Sequence, residues 1–176
     1  MIGRLLYQVR AGDEHSIGHD LGSGHCLVVA SDAFDDGRPM PQSAAGRGVG
    51  PNISPDLHWS GVPAGTRQFV LILEDTDVPL PRPLVHTVAL IEPTLQELDE
   101  GRLIPGTDGV SFIPAAFRRI GYHGPRPVPG HGVHHYTFHL AALDCVLPET
   151  MKASRLASAV SGHVIGYGLL TGTYER

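Results

Sequence analysis

Short apolar runs alternate with turn residues along most of the chain. Runs rich in Val, Ile and aromatic residues, bounded by Gly, Pro, Asn or Asp, are typical of β-strands. Residues 69–73 are continuously apolar, which predicts a central strand over residues 68–73 that is buried on both faces. Other strands are predicted over residues 26–30, 57–59, 86–91, 134–143 and 164–174. The pattern therefore predicts a mainly β protein.

Helical patterns are few. Residues 152–161 predict a helix near the C-terminus, since Leu156 and Val160 share one face and Gly162 provides a C-terminal stop. Residues 94–100 predict one further helical turn. The sequence thus favours strands with a few short helices.

Length and composition limit the architecture and the partners. A chain of 176 residues fits one domain, residues 1–176, with residues 1–24 as an N-terminal extension. The net charge of −5 and the lack of Lys/Arg runs argue against nucleic-acid binding. Apolar runs stay well short of the roughly 18 residues of a membrane-spanning helix, so stable membrane insertion is not expected. With no export signal at the N-terminus, we expect a cytoplasmic location.

Polar side chains gather at three places in this pattern. Asp75 and Asp77 follow the strongest predicted strand, and His86 opens a strand after the stiff, proline-rich residues 79–83. Residues 121–130 interleave Gly and Pro, a composition that lets backbone N–H groups converge on an anion. Taken singly, a polar turn after a buried strand explains the two aspartates equally well, and a lone histidine at a strand end is more often a surface residue.

Period-two alternation assigns faces to the strand at 134–143. His134 and Tyr136 fall on one face and are predicted to point into a cleft. His135 and His139 fall on the other face and are predicted to lie in solvent.

Cofactor and catalytic motifs are weak. Asp75, His86 and His134 could assemble a site of two histidines and one carboxylate, but the sequence contains no metal-binding motif, so neither a metal nor a cofactor is predicted. Residues 46–50, GRGVG, superficially resemble a phosphate-binding glycine loop, yet no strand precedes them and no helix follows. No nucleophile elbow is present, so no catalytic residue is predicted.

Four blocks in the right order resemble the phosphatidylethanolamine-binding protein family, in its bacterial Raf-kinase-inhibitor-like branch. The blocks are NISPDLHW at 52–59, DTDVP at 75–79 followed by His86, GYHGPRP at 121–127 followed by HHY at 134–136, and the C-terminal residues 162–175. The resemblance implies two antiparallel β-sheets packed together with a few short helices. It also implies an anion pocket whose ligand-binding residues are Asp75, Asp77, His86, Gly124, Pro125, His134 and Tyr136.

The chemistry of these residues suggests a division of roles. Carboxylates repel phosphate, so the two aspartates are expected to hold His86 or His134 in a donating, partly cationic form. The chain departs from the family pattern at Thr76, Val85 and Arg126; Val85 is expected to make one pocket wall smaller, and Arg126 to add a cation near the mouth.

Three functions are consistent with the sequence. The leading hypothesis is non-catalytic, regulatory binding of a small phosphate-bearing or anionic ligand. The alternatives are a module that inhibits or binds a kinase or protease, and a hydrolase with Asp75 and His86 as an acid–base pair. A homodimer is also left open.

Overall fold

The computed structural model describes residues 3, 6, 7, 9–21 and 25–176, and nine strands lie within its last segment. The strands are β1 (His25–Cys26), β2 (Val28–Ala30), β3 (Leu57–Ser60), β4 (Gln68–Asp75), β5 (Leu84–Ile91), β6 (Glu97–Leu98), β7 (Val110–Phe112), β8 (His134–Leu143) and β9 (Val164–Tyr174). The larger sheet has the order β1–β9–β8–β4–β5–β7, and the smaller sheet has the order β2–β3–β6. Neighbouring strands are antiparallel except for the short β1–β9 pair.

Two short α-helices lie within residues 9–21 and 25–176, namely α1 (Ile17–Leu21) and α2 (Leu156–Val160). Both pack on the outer face of the larger sheet, where Leu21, Leu156 and Val160 join one apolar cluster. No helix in the described part of the chain is long and apolar enough to cross a membrane.

The larger sheet is buried on both faces. Phe69 and Leu71 of β4 face the smaller sheet and join a cluster with Trp59, whereas Val70 and Ile72 face the helices. These four β4 side chains are at most 1% exposed. Complete burial of such side chains contributes roughly 1.5–3 kcal/mol each. The prediction of a central strand buried on both faces is confirmed.

The long strands match the sequence pattern, and the short elements do not. β8 and β9 have the predicted bounds. The run at 26–30 is divided between β1 and β2, which belong to different sheets. The helical turn predicted at 94–100 is wrong, because β6 forms there by pairing with β3 and burying Leu98. The predicted C-terminal helix is shorter than expected, since a 3₁₀ turn at Ala153–Arg155 precedes α2.

The N-terminal extension lies partly outside the described residues, which omit positions 1, 2, 4, 5, 8 and 22–24. Its described part runs beside the end of β4. The N–H groups of Ala11 and Gly12 donate to the carbonyl oxygens of Val78 and Thr76, each at 3.0 Å. The extension therefore supports the turn that follows β4.

Candidate functional site

A cleft of about 220 Å³ opens at the ends of β4, β5 and β8. Four residues predicted from the sequence line it together: Asp75, His86, His134 and Tyr136. Arg126 completes the polar lining. The remaining walls are apolar and consist of Val78, Pro79, Leu80, Leu84, Pro127 and Val128. The cleft therefore combines a polar group of side chains with a larger apolar surface.

A β-bulge places His86 in this cleft. The β4–β5 register pairs Leu73 with Thr87 and then Glu74 with Val85, which leaves His86 as the extra residue of β5. Bulges redirect side chains and are frequent next to functional sites.

Regular alternation would have put His86 on the same face as Val88 and Leu90, which pack towards the helices. With the bulge, Val85 occupies that face, and Leu84 and His86 line the cleft. The expectation that Val85 forms a pocket wall is therefore wrong; Leu84 forms it.

Asp75, His134 and His131 form a buried hydrogen-bonded chain, and each is at most 1% exposed. His131 Nε2 lies 2.8 Å from the carbonyl oxygen of Leu6 and 3.1 Å from that of Val9, so it carries a proton and donates. His131 Nδ1 is 2.7 Å from His134 Nε2, and His134 Nδ1 is 2.8 Å from Asp75 Oδ2. The chain thus contains three hydrogen-bonded links: His131 to a backbone carbonyl oxygen, His131 to His134, and His134 to Asp75. Each link requires one proton, whereas two neutral imidazoles supply only two. The chain therefore holds one additional proton, shared by Asp75 and the histidines.

This chain changes the role expected of His134. Both of its ring nitrogens bond to protein groups, so neither is free to contact a ligand. Sequence reasoning missed His131, because a histidine three positions before a strand carries no signal of its own.

His86 is held differently. Its Nδ1 lies 3.0 Å from the carbonyl oxygen of His123 and donates to it. Burial lowers the pKa of His86 to about 4, even though the nearby Asp75 carboxylate acts in the opposite direction. His86 is therefore neutral at pH 7, contrary to the expected cationic form, and its buried Nε2 has no hydrogen-bond partner among the described residues.

Tyr136 supplies the second unpartnered polar atom. The residue is completely buried and its ring meets that of His86 edge to face, with centroids 5.4 Å apart. Burial and the Asp75 charge raise the pKa of Tyr136, so its hydroxyl stays protonated. That hydroxyl lies near the Asp75 carboxylate and the backbone of Arg126, but its geometry satisfies a hydrogen bond with neither of them nor with any other described group.

The other predicted site residues lie beside the cleft. Asp77 accepts hydrogen bonds from the backbone and ring of His135 and pairs with Arg10. Burial alone would raise the pKa of Asp77, but these contacts lower it overall. Gly124 lines a neighbouring pocket, and the Pro125 carbonyl accepts the Gly46 N–H at 2.8 Å.

The face assignment on β8 is only half right. His135 is exposed, as predicted. His139 is buried at 6% exposure, because α1 covers that face. Its Nδ1 is 2.6 Å from the hydroxyl of Tyr167, whose pKa is raised to about 12 by burial and by Glu74.

Two hypotheses about reacting groups can be compared with this geometry. Among the described residues, Asp75, His86 and His134 do not bring all three ligand atoms within 4.8 Å of one another, as a shared metal ion would require. Asp75 bonds to His134 rather than to His86, so the acid–base pair of the hydrolase hypothesis makes no direct hydrogen bond.

Comparison with known proteins places this chain in a family. The profile of the phosphatidylethanolamine-binding protein family matches residues 30–175. The chain is 36% identical over 163 residues to a UPF0098 protein of Pyrococcus abyssi, covering 88% of this chain and 89% of that one.

Two crystal structures have a fold similar to that of this chain. A phosphatidylethanolamine-binding protein homolog from Chlamydia trachomatis matches with a TM-score of 0.76 and 32% identity, covering 87% of this chain and 99% of that one. YbcL of E. coli matches with a TM-score of 0.77 and 26% identity, covering 85% and 98%. Because the family profile matches residues 30–175 and the relatives share both sequence and fold, the chain belongs to the phosphatidylethanolamine-binding protein family.

Proposed function

We propose that the cleft binds a small phosphate-bearing or otherwise anionic ligand without catalysing its conversion. The proposal rests on His86 Nε2 and the Tyr136 hydroxyl, two buried polar atoms of cleft residues that lack a partner among the described groups. Buried polar atoms are nearly always hydrogen-bonded, so such a pair in one cavity indicates a ligand that supplies the bonds.

A phosphate monoester in its monoanionic form complements these atoms. It offers one P–OH donor to the neutral His86 Nε2, and it offers anionic oxygens to the Tyr136 hydroxyl and the Arg126 guanidinium. Phosphate monoesters lose their second proton near pH 6. Binding is therefore expected to tighten as the pH falls towards 6, because only the monoanion carries the P–OH proton that it donates to His86.

The apolar walls favour a ligand with a short apolar portion next to the charged group, as in a phospholipid head group. Within the described residues, no serine, threonine, cysteine or lysine lines the cleft. With Asp75 and His134 committed to their buried chain, the lining offers recognition rather than an activated nucleophile.

Phosphoethanolamine is a suitable probe. We expect it to raise the melting temperature and to shift the methyl NMR signals of Val78, Leu80 and Leu84, which line the cleft. Tyr136→Phe removes one donor and should weaken binding roughly tenfold, since the bound oxygen loses its partner. Tyr122→Phe is a matched control, because the Tyr122 hydroxyl already donates to the Ala44 carbonyl oxygen outside the cleft.

The proposal fails if saturating phosphoethanolamine moves neither the methyl signals nor the melting temperature. It also fails if Tyr136→Phe and Tyr122→Phe weaken binding equally.

A further inference from the structure

A second pocket of about 170 Å³ shares Arg126 with the cleft. Basic side chains dominate its lining, which consists of Gly46, Arg47, Asn52, Arg119, His123, Gly124 and Arg126. No carboxylate is among these residues. Pockets that hold drug-sized ligands measure about 300–1,000 Å³, so this pocket suits a single small group.

The concentration of positive charge in this pocket is unusual for the chain. Three of the 13 Lys and Arg residues meet here in a protein with a net charge of −5. Within the described residues, Arg47, Arg119 and Arg126 form no ion pair with a carboxylate. Burial lowers the pKa of His123, and the positive charges of Arg119 and Arg47 lower it further. Unpaired like charges repel one another, and a bound anion would remove that repulsion.

Backbone contacts hold the two sides of the pocket together. The Gly46 N–H donates to the Pro125 carbonyl oxygen at 2.8 Å, and the Gly124 N–H donates to Asn52 Oδ1 at 3.0 Å. Gly48 has φ +86°, and a Cβ there would lie 3.9 Å from the Arg126 guanidinium. The glycine-rich residues 46–50 thus approach Arg126 closely, although they lack the strand and helix of a nucleotide-binding loop.

Arg119 comes from a separate turn of the chain. It ends a turn in which Phe117 and Arg118 both have positive φ, at 57° and 59°. Non-glycine residues in this region are strained, and such strain concentrates at functional sites. The Arg119 guanidinium lies 5.1 Å from the centroid of the Phe117 ring, within the range of a cation–π contact.

We propose that the Arg47–Arg119–Arg126 pocket is a second anion site, which binds the phosphate group of a phosphate ester or free phosphate. Guanidinium groups suit this role because their paired N–H donors match the oxygens of phosphate. The site goes beyond the cleft, since Arg47 and Arg119 do not line the cleft and Arg126 alone is shared.

Inorganic phosphate is the first probe, titrated at constant ionic strength because free salt screens exposed charges. Two-dimensional ¹H–¹⁵N NMR should show shifts of the Gly46 and Arg47 amides and of the Arg Nε–H groups. Arg47→Ala and Arg119→Ala should each weaken the response at least tenfold, as expected for the loss of a charged hydrogen-bond donor. Arg155→Ala removes the same charge beside α2, on the far face of the larger sheet, and should leave the response unchanged.

Phosphatidylcholine vesicles with and without phosphatidic acid distinguish a lipid head group from free phosphate as the source. Binding that requires phosphatidic acid and Arg47 supports the site with a lipid source, and binding of free phosphate supports it with a soluble one. The pocket is rejected if neither probe perturbs Gly46 and Arg47, or if Arg155→Ala weakens binding as much as Arg47→Ala. A response confined to the methyl groups of Leu80 and Leu84 would reject this site and leave the cleft proposal intact.

Discussion

The Asp75–His134–His131 chain allows a sharp test, because removing the Asp75 carboxylate and neutralising it should have different effects. Asp75→Ala leaves two buried donors without an acceptor, namely His134 Nδ1–H and the Asp77 N–H that donates to Asp75 Oδ1 at 2.9 Å. Each orphaned buried donor costs about 1–3 kcal/mol, and breaking a buried charged pair costs about 3–5 kcal/mol. We therefore expect Asp75→Ala to lower the free energy of unfolding by about 4 kcal/mol.

Asp75→Asn should cost much less. The side-chain amide can donate to a neutral His134 Nδ1 while its oxygen still accepts the Asp77 N–H. The two neutral imidazoles and the amide then supply the three protons that the three links need. Because each hydrogen bond of the chain persists without a charge, the free energy of unfolding is expected to fall by only about 1 kcal/mol.

Urea unfolding followed by the fluorescence of Trp59, the single tryptophan, measures both variants. For a chain of 176 residues, 1 kcal/mol corresponds to about 2–4 °C in melting temperature, so Asp75→Ala should melt roughly 10 °C below the wild type. Equal losses in the two variants would refute the proton count. A loss below about 1 kcal/mol in Asp75→Ala would refute the importance of the chain itself.

Two further predictions concern His86 and Gly124. Because the folded state lowers the pKa of His86 from 6.5 to about 4, the unfolded state binds more protons in this window. The contribution of His86 to the free energy of unfolding is therefore complete above about pH 6.5. As the pH falls to about 4, about 3 kcal/mol of this contribution is lost. Unfolding measured between pH 7 and 4 should show a shallower decline in His86→Asn than in the wild type or in the exposed control His58→Asn, and parallel curves would contradict this reasoning. Gly124→Ala would place a Cβ 1.8 Å from the Ala44 carbonyl oxygen, so thermal unfolding should show a loss of about 3 kcal/mol or more. Gly65→Ala, which meets open space at φ +91°, should cost only about 1–2 kcal/mol, and a similar loss in both variants would argue against the steric explanation.

Local pattern predicted the parts of the fold that depend on regular repetition. β4, β8 and β9 are long enough for composition and alternation to specify them, and their predicted positions agree with the structure. β6 could not be predicted in this way, because its two residues become a strand only through pairing with β3.

The candidate site also has a part that the sequence predicted and a part that only the structure shows. The motifs of the sequence selected seven residues, of which the structure brings Asp75, His86, His134 and Tyr136 to one cleft. Asp77, Gly124 and Pro125 lie beside that cleft. The order and the chemical types of these residues are properties of the sequence, so the sequence by itself determined which residues could form one site.

Only the tertiary structure decided what each residue can do there. The bulge in β5 reverses the face that alternation assigns to His86, and burial keeps its imidazole neutral. His131 occupies the second nitrogen of His134, and α1 buries the supposedly exposed His139. Faces, protonation states and hydrogen-bond partners depend on contacts between segments far apart in the chain, and no local pattern carries that information.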